Sequence, residues 1–122
     1  MTIRRFTVPA VSDGSGNGTF YSPVLSGYLN SITYVKTDYT DGVDFTITAE
    51  ATAETLWTEA NVNAAKVCMP RAATHSNVGV ASLYAATFAV NDQIRLGRDR
   101  VKIVIAAGGN ATTGQFMVVV ED

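Results

Sequence analysis

Asp44-Phe45-Thr46-Ile47-Thr48-Ala49-Glu50 alternates at every step, with Phe45, Ile47 and Ala49 on one side and Thr46, Thr48 and Glu50 on the other. A period of two describes a strand with one face buried and the other on water or a partner; a helix would repeat about every 3.6 residues. Arg100-Val101-Lys102-Ile103-Val104-Ile105 repeats the pattern, with Val101, Ile103 and Ile105 on one face. The run Gln115-Phe116-Met117-Val118-Val119-Val120 is apolar on both faces, as in a central strand or one covered by a neighbouring subunit. The charges of Glu121-Asp122 after it discourage indiscriminate pairing. Tyr28 to Lys36 is rich in Tyr, Ile, Thr and Val, which suit a pleated, half-buried surface, and Gln93–Gly97 reads as a further short strand.

Asp41-Gly42 precedes the Phe45 strand, and Gly108-Gly109-Asn110 through Gly114 precede the last one. Glycine and asparagine accept the positive φ of tight turns, so Tyr28–Lys36 with Phe45–Glu50, and Arg100–Ala106 with Gln115–Val120, are expected to form two hairpins. Residues 54–70 remain open between strand and helix. Leu56, Ala60, Ala64 and Val67/Cys68 make a helical stripe, while Leu56-Trp57-Thr58 and Val62-Asn63-Ala64 fit short strands, the reading favoured in a β context. The alanine-rich Ser82–Ala89 stretch is strand or loop. The expected fold is all-β: an antiparallel β-sandwich or jelly-roll-like barrel of about six to eight strands, with room for one short helix.

The 122 residues, 47% hydrophobic and 16% charged, suit one domain spanning 1–122, within which 1–24 could form an N-terminal arm and loop. A single cysteine, Cys68, forms no intrachain bridge and reads as a small core residue. Nine basic and eleven acidic residues give a net charge of -2, and the pairs Arg4/Arg5 and Arg98/Arg100 are too small to attract a polyphosphate, so no direct nucleic-acid partner is expected. The opening Met1-Thr2-Ile3-Arg4-Arg5-Phe6-Thr7-Val8-Pro9 is broken by Thr7 and Pro9, unlike an export signal. Ile103–Ala107, as long as any later apolar run, is far shorter than the roughly 20 residues of a membrane span. A soluble protein with no membrane partner is expected.

Catalytic and metal chemistry lack parts. His75 is the single histidine and lies in the polar stretch Ala72-Ala73-Thr74-His75-Ser76-Asn77, without a nucleophile signature. One His and one Cys leave a zinc site to carboxylates that no spacing here advertises. Asp38-Tyr39-Thr40-Asp41-Gly42-Val43-Asp44 has three carboxylates and a glycine, but Ala49 stands where a calcium loop places its bidentate glutamate. No catalytic residue, cofactor or metal is expected, and the chain is read as a non-enzyme.

A resemblance can be placed on specific segments. Ile32-Thr33-Tyr34-Val35-Lys36-Thr37-Asp38, Asp41-Gly42-Val43-Asp44-Phe45-Thr46-Ile47-Thr48 and Glu54-Thr55-Leu56-Trp57 are similar to a family of short proteins encoded among the structural genes of tailed bacteriophages. Pro70-Arg71-Ala72-Ala73-Thr74-His75, Val90-Asn91-Asp92-Gln93-Ile94-Arg95-Leu96 and Arg100 to Gly109 continue it, so that it covers roughly residues 28 to 120. The resemblance implies a virion component, most like a capsid decoration or cement protein. Such a subunit sits on the outer surface of the phage head, binds the major capsid protein and forms a homo-oligomer, dimer or trimer. Head-completion and tail-associated proteins are the near alternatives.

Contact residues are nominated on chemical grounds. Ile3, Phe6 and Val8 could add a strand to a neighbour's sheet, although a first strand of the sandwich is the favoured reading of that segment. Tyr21, Tyr28 and Tyr39, with Tyr34 and Tyr84, offer large areas with polar tips, and core burial is an equal alternative for each. A rival from another class is a carbohydrate-binding β-sandwich of a receptor-binding apparatus, in which an exposed Trp57 and tyrosines stack on sugar rings.

Overall fold

The computed structural model describes residues 2–122. The strand elements are β1 (Ile3–Val11), β2 (Gly18–Tyr21), β3 (Leu25–Lys36), β4 (Val43–Ala49), β5 (Thr55–Val62), β6 (Lys66–Cys68), β7 (Arg71–Ala73), β8 (Leu83–Ala85), β9 (Phe88–Ala89), β10 (Asn91–Asp99), β11 (Val101–Ala106) and β12 (Thr113–Glu121). A six-stranded sheet runs β1-β12-β3-β10-β7, with β6 also on β3; a four-stranded sheet runs β2-β11-β4-β5; β8 and β9 pair by themselves. Every strand pairing is antiparallel. The two large sheets face each other as a sandwich around one core.

The alternation read in the sequence is the alternation that builds this core. Phe45, Ile47 and Ala49 from β4 and Val101, Ile103 and Ile105 from β11 are buried against Phe116, Val118 and Val120 from β12. Aromatic rings bridge the sheets at the centre. Tyr34 and Phe116 of the larger sheet each lie 5.3 Å from Phe45 of the smaller one. The double-sided apolar run of β12 is a central strand, flanked by β1 and β3.

Several expectations are corrected. No helix occurs among the described residues, and residues 54–70 hold β5 and β6, the strand reading favoured from the sequence. Both pair along strands already committed to the sheets, β4 and β3, and this tertiary pairing overrides a local stripe that fitted either period. The elements number twelve rather than six to eight because several are only two or three residues long. Residues 2–24 form no free arm: as the favoured reading of the first segment had it, β1 is a strand of the sandwich, at one edge of the larger sheet, and β2 lies at one edge of the smaller one.

The two expected hairpins do not form. β3 pairs with β12, β10 and β6, whereas β4 pairs with β11 and β5; likewise β11 and β12 lie in different sheets. Both connections, residues 37–42 and 107–112, cross from one sheet to the other. Tyr39 explains the first crossing, because its ring is buried between the sheets and its hydroxyl donates to the Ala10 carbonyl at 2.5 Å. The crossings are tied together by Asp38 N–H to Thr113 O (3.0 Å) and Thr40 N–H to Gly108 O (3.1 Å). The β1–β2 loop joins them through Gly108 N–H to Gly16 O (2.9 Å) and Ser12 Oγ to Gly109 O (2.6 Å). Gly16, at φ 82°, comes too close to the backbone of Gly108 and Gly109 to carry a side chain. The turn residues are real, but they serve crossovers closing one end of the sandwich.

Candidate interaction surface

Ala72 to Asn91 is a run of twenty residues without a single Asp, Glu, Lys or Arg. Its ends belong to the larger sheet, where β7 pairs β10 through Ala73↔Asn91 and Ala72↔Asp92. Beyond this pair the chain leaves the sandwich and divides. Thr74, Ser82 and Val90 meet at the branch: Thr74 N–H donates to Val90 O (2.9 Å), Ser82 N–H to Thr74 O (3.0 Å) and Val90 N–H to Ser82 O (3.0 Å).

The first finger is closed by the His75↔Ala81 bridge and by Ser76 N–H to Val80 O (2.8 Å). The second is the β8–β9 pair, where Leu83 faces Ala89. Each finger therefore satisfies much of its own backbone, so a short segment can hold a defined shape outside the main core. What it holds out is apolar. Val78 is 78% exposed, Val80 62%, Leu83 50%, Tyr84 70%, Phe88 58% and Val90 41%. The Tyr84 and Phe88 rings stack at 5.8 Å and 23°, forming a flat aromatic slab on the second finger.

The residues nominated from sequence fall elsewhere. Val8 and Tyr39 are core residues, 3% and 2% exposed, and offer no surface in this fold. Phe6 is half-buried against the core. Ile3 and Tyr28 are brought together on the outer face of the larger sheet, since both pair across Glu121: Ile3↔Glu121 on one side and Tyr28↔Glu121 on the other. Arg95 extends this row, its guanidinium 4.8 Å from the Tyr28 ring centroid. Tyr21 lies on the smaller sheet beneath Arg100, whose guanidinium carbon is 4.1 Å from the ring centroid. Arg100 also grips Glu50 through Nε (2.9 Å) and Nη2 (2.5 Å), and this pairing holds the Glu50 carboxyl below the usual carboxylate range.

The carboxylates of the calcium-like stretch are turned to separate tasks. Asp38 accepts from the Thr113 backbone and hydroxyl, Asp41 pairs with Lys36, and Asp44 accepts from Asn61 N–H at 2.8 Å. Trp57 does not present a sugar platform: it is 6% exposed and packs edge-on against Phe45 at 4.8 Å. Its indole N–H donates to Glu59 at 3.1 Å, and Lys66 together with that bond keeps the Glu59 carboxyl below its ordinary range. The carbohydrate reading loses its main premise.

No family model matches the chain and no curated protein matches it. The crystal structure of FLHE is similar over 100% of both chains, at 8% identity and a TM-score of 0.47. At that level the likeness carries no argument about role.

The arm is the feature that reading residue by residue missed. Its apolar residues fit both periods, since Val78, Val80, Tyr84, Phe88 and Val90 share one parity while Val80, Tyr84 and Phe88 also stand four apart, so periodicity does not single out one face. The signal that could have found it is compositional: all twenty formal charges lie outside Ala72–Asn91, yet the segment is too polar and alanine-rich to be a core strand.

Proposed function

We propose that this chain is a non-enzymatic structural subunit of a tailed-bacteriophage virion that docks on the major capsid protein lattice and stabilises the head. The observation that carries the reading is the charge-free forked arm, which holds six large apolar side chains in solvent beside a well-packed sandwich. Exposed apolar surface on a folded domain marks a contact waiting for a partner. The resemblance to short phage structural proteins read in the sequence of residues 28 to 120 is what suggests the kind of assembly.

The mechanism is mechanical. A subunit that binds the closed lattice better than its separated capsomers favours the closed state by mass action, and many copies multiply a modest contact. The Ile3–Glu121–Tyr28–Arg95 row offers a second patch, on an outer face rather than at the sheet edge that carries the arm. A rigid sandwich with two patches can bridge neighbours.

The test is to add purified protein to expanded heads that lack it. Co-sedimentation with heads and a higher rupture temperature are expected. Binding to connectors or tails alone would move the subunit to a head-completion or tail position, and binding to no particle would end the virion reading.

A further inference from the structure

We infer that the arm's partner is the arm of a second copy of this chain, so that two subunits pair reciprocally through Val78, Val80, Leu83, Tyr84, Phe88 and Val90. The inference rests on the reading of the arm as an assembly contact and names what it contacts.

Two observations point to a second copy. The first is charge. Each chain carries a net charge of -2, and copies meeting through a charged face would set like charges against each other unless these were arranged in complementary pairs. The twenty residues from Ala72 to Asn91 carry no formal charge, so this surface meets its own image without that penalty. A contact with a different protein gains specificity from complementary charges at its rim; here the nearest charged residues, Arg71 and Asp92, stand at the root of the arm.

The second is area. With ordinary side-chain areas, the exposures of the six residues amount to roughly 600 Å² per arm over its two fingers, as much as the largest apolar patches of monomers expose. Arm against arm, two copies can cover at most about 1,200 Å² in all, the lower end of a specific interface. One arm laid on a polar surface covers apolar area on one side alone. Reciprocal pairing matches apolar to apolar on both sides, and it closes at two subunits because the same patch is used on each. The Tyr84–Phe88 slab is the natural centre, since stacked aromatics present a rigid plane at small cost in side-chain freedom.

The experiment is sedimentation velocity of the full chain over a concentration series, beside the double variant Tyr84→Ser, Phe88→Ser and the control Ile3→Ser. The wild type and the control should shift with rising concentration from the 12.9 kDa monomer to twice that mass. The double variant should stay monomeric while the fluorescence of Trp57, buried in the main core, remains native. A wild type that is monomeric throughout, a variant that still dimerises, or a closed assembly larger than two overturns the inference. Head binding separates it from the proposed function. A monomeric wild type that binds heads through the arm overturns self-pairing and leaves the virion role standing; a dimer that binds no particle does the reverse.

Discussion

The ring of Tyr39 lies against the backbone of Gly114 with no space for a side chain between them. The contact sits where the β3–β4 and β11–β12 crossovers meet, and it fixes how the two sheets close at that end. Tyr39 cannot swing aside freely because its hydroxyl is held by Ala10 O at 2.5 Å. Gly114→Ala is therefore expected to destabilise the protein by about 2–3 kcal/mol, as overpacking of a rigid site does. The urea unfolding midpoint measures it, and an unchanged midpoint would show that the ring yields.

Tyr34 is fully buried, and its hydroxyl has no hydrogen-bond partner among the described residues. Tyr34→Phe removes an unsatisfied group while keeping the ring contacts with Phe45, Phe116 and Tyr39, so stability at neutral pH should hold or rise by up to about 1 kcal/mol. A loss greater than that would reveal a hidden partner for the hydroxyl.

The same residue sets an alkaline limit. Burial pushes the Tyr34 phenol from 10.0 up to about 12, and burial also raises Tyr39. Because the folded value is the higher one, stability is intact below pH 10 and is lost as the pH climbs from 10 towards 12, where the unfolded chain ionises first. Two units correspond to about 2–3 kcal/mol for Tyr34. Urea titrations at several pH values should show the loss, and Tyr34→Phe should remove that share of it.

Asp99 is a buried carboxylate at the bend from β10 to β11, where Oδ1 accepts from Ala51 N–H (2.9 Å) and Arg100 N–H (2.8 Å). It ties the β4–β5 turn to the point at which the chain changes sheets. Asp99→Ala leaves both donors without this acceptor and should cost about 1–3 kcal/mol, whereas Asp99→Asn keeps an acceptor oxygen and should cost less. Equal losses in thermal melts would contradict the hydrogen-bond account.

Cys68 is half-buried on β6, and burial, reinforced by Glu59, raises its thiol above the ordinary value. Since the thiolate is the reactive form, maleimide labelling at neutral pH should run slower than for a free thiol and accelerate in denaturant. Labelling as fast as glutathione would contradict that placement.

Strand identity was legible wherever one face alternates cleanly: β4, β11 and β12 read directly from Phe45-x-Ile47, Val101-x-Ile103 and Phe116-x-Val118. Partner choice was not. Asp41-Gly42 and Gly108-Gly109 satisfy a hairpin and a sheet crossover equally, and the deciding group, Tyr39, shows its effect only once both sheets exist. In β3 the inward set changes from Leu25 and Leu29 to Ile32 and Tyr34, because the register against β12 slips around Asn30. A bulge of that kind reverses the faces mid-strand and hides the period. The arm escaped for a different reason: periodicity finds surfaces that face a core, and Val78, Tyr84 and Phe88 face outward.

Cryo-EM of the intact particle tests the central claim most directly. Density for the sandwich on the outer surface of the head, seated on the major capsid protein, is the predicted result. Density at the connector or tail, or none on the particle at all, would contradict it.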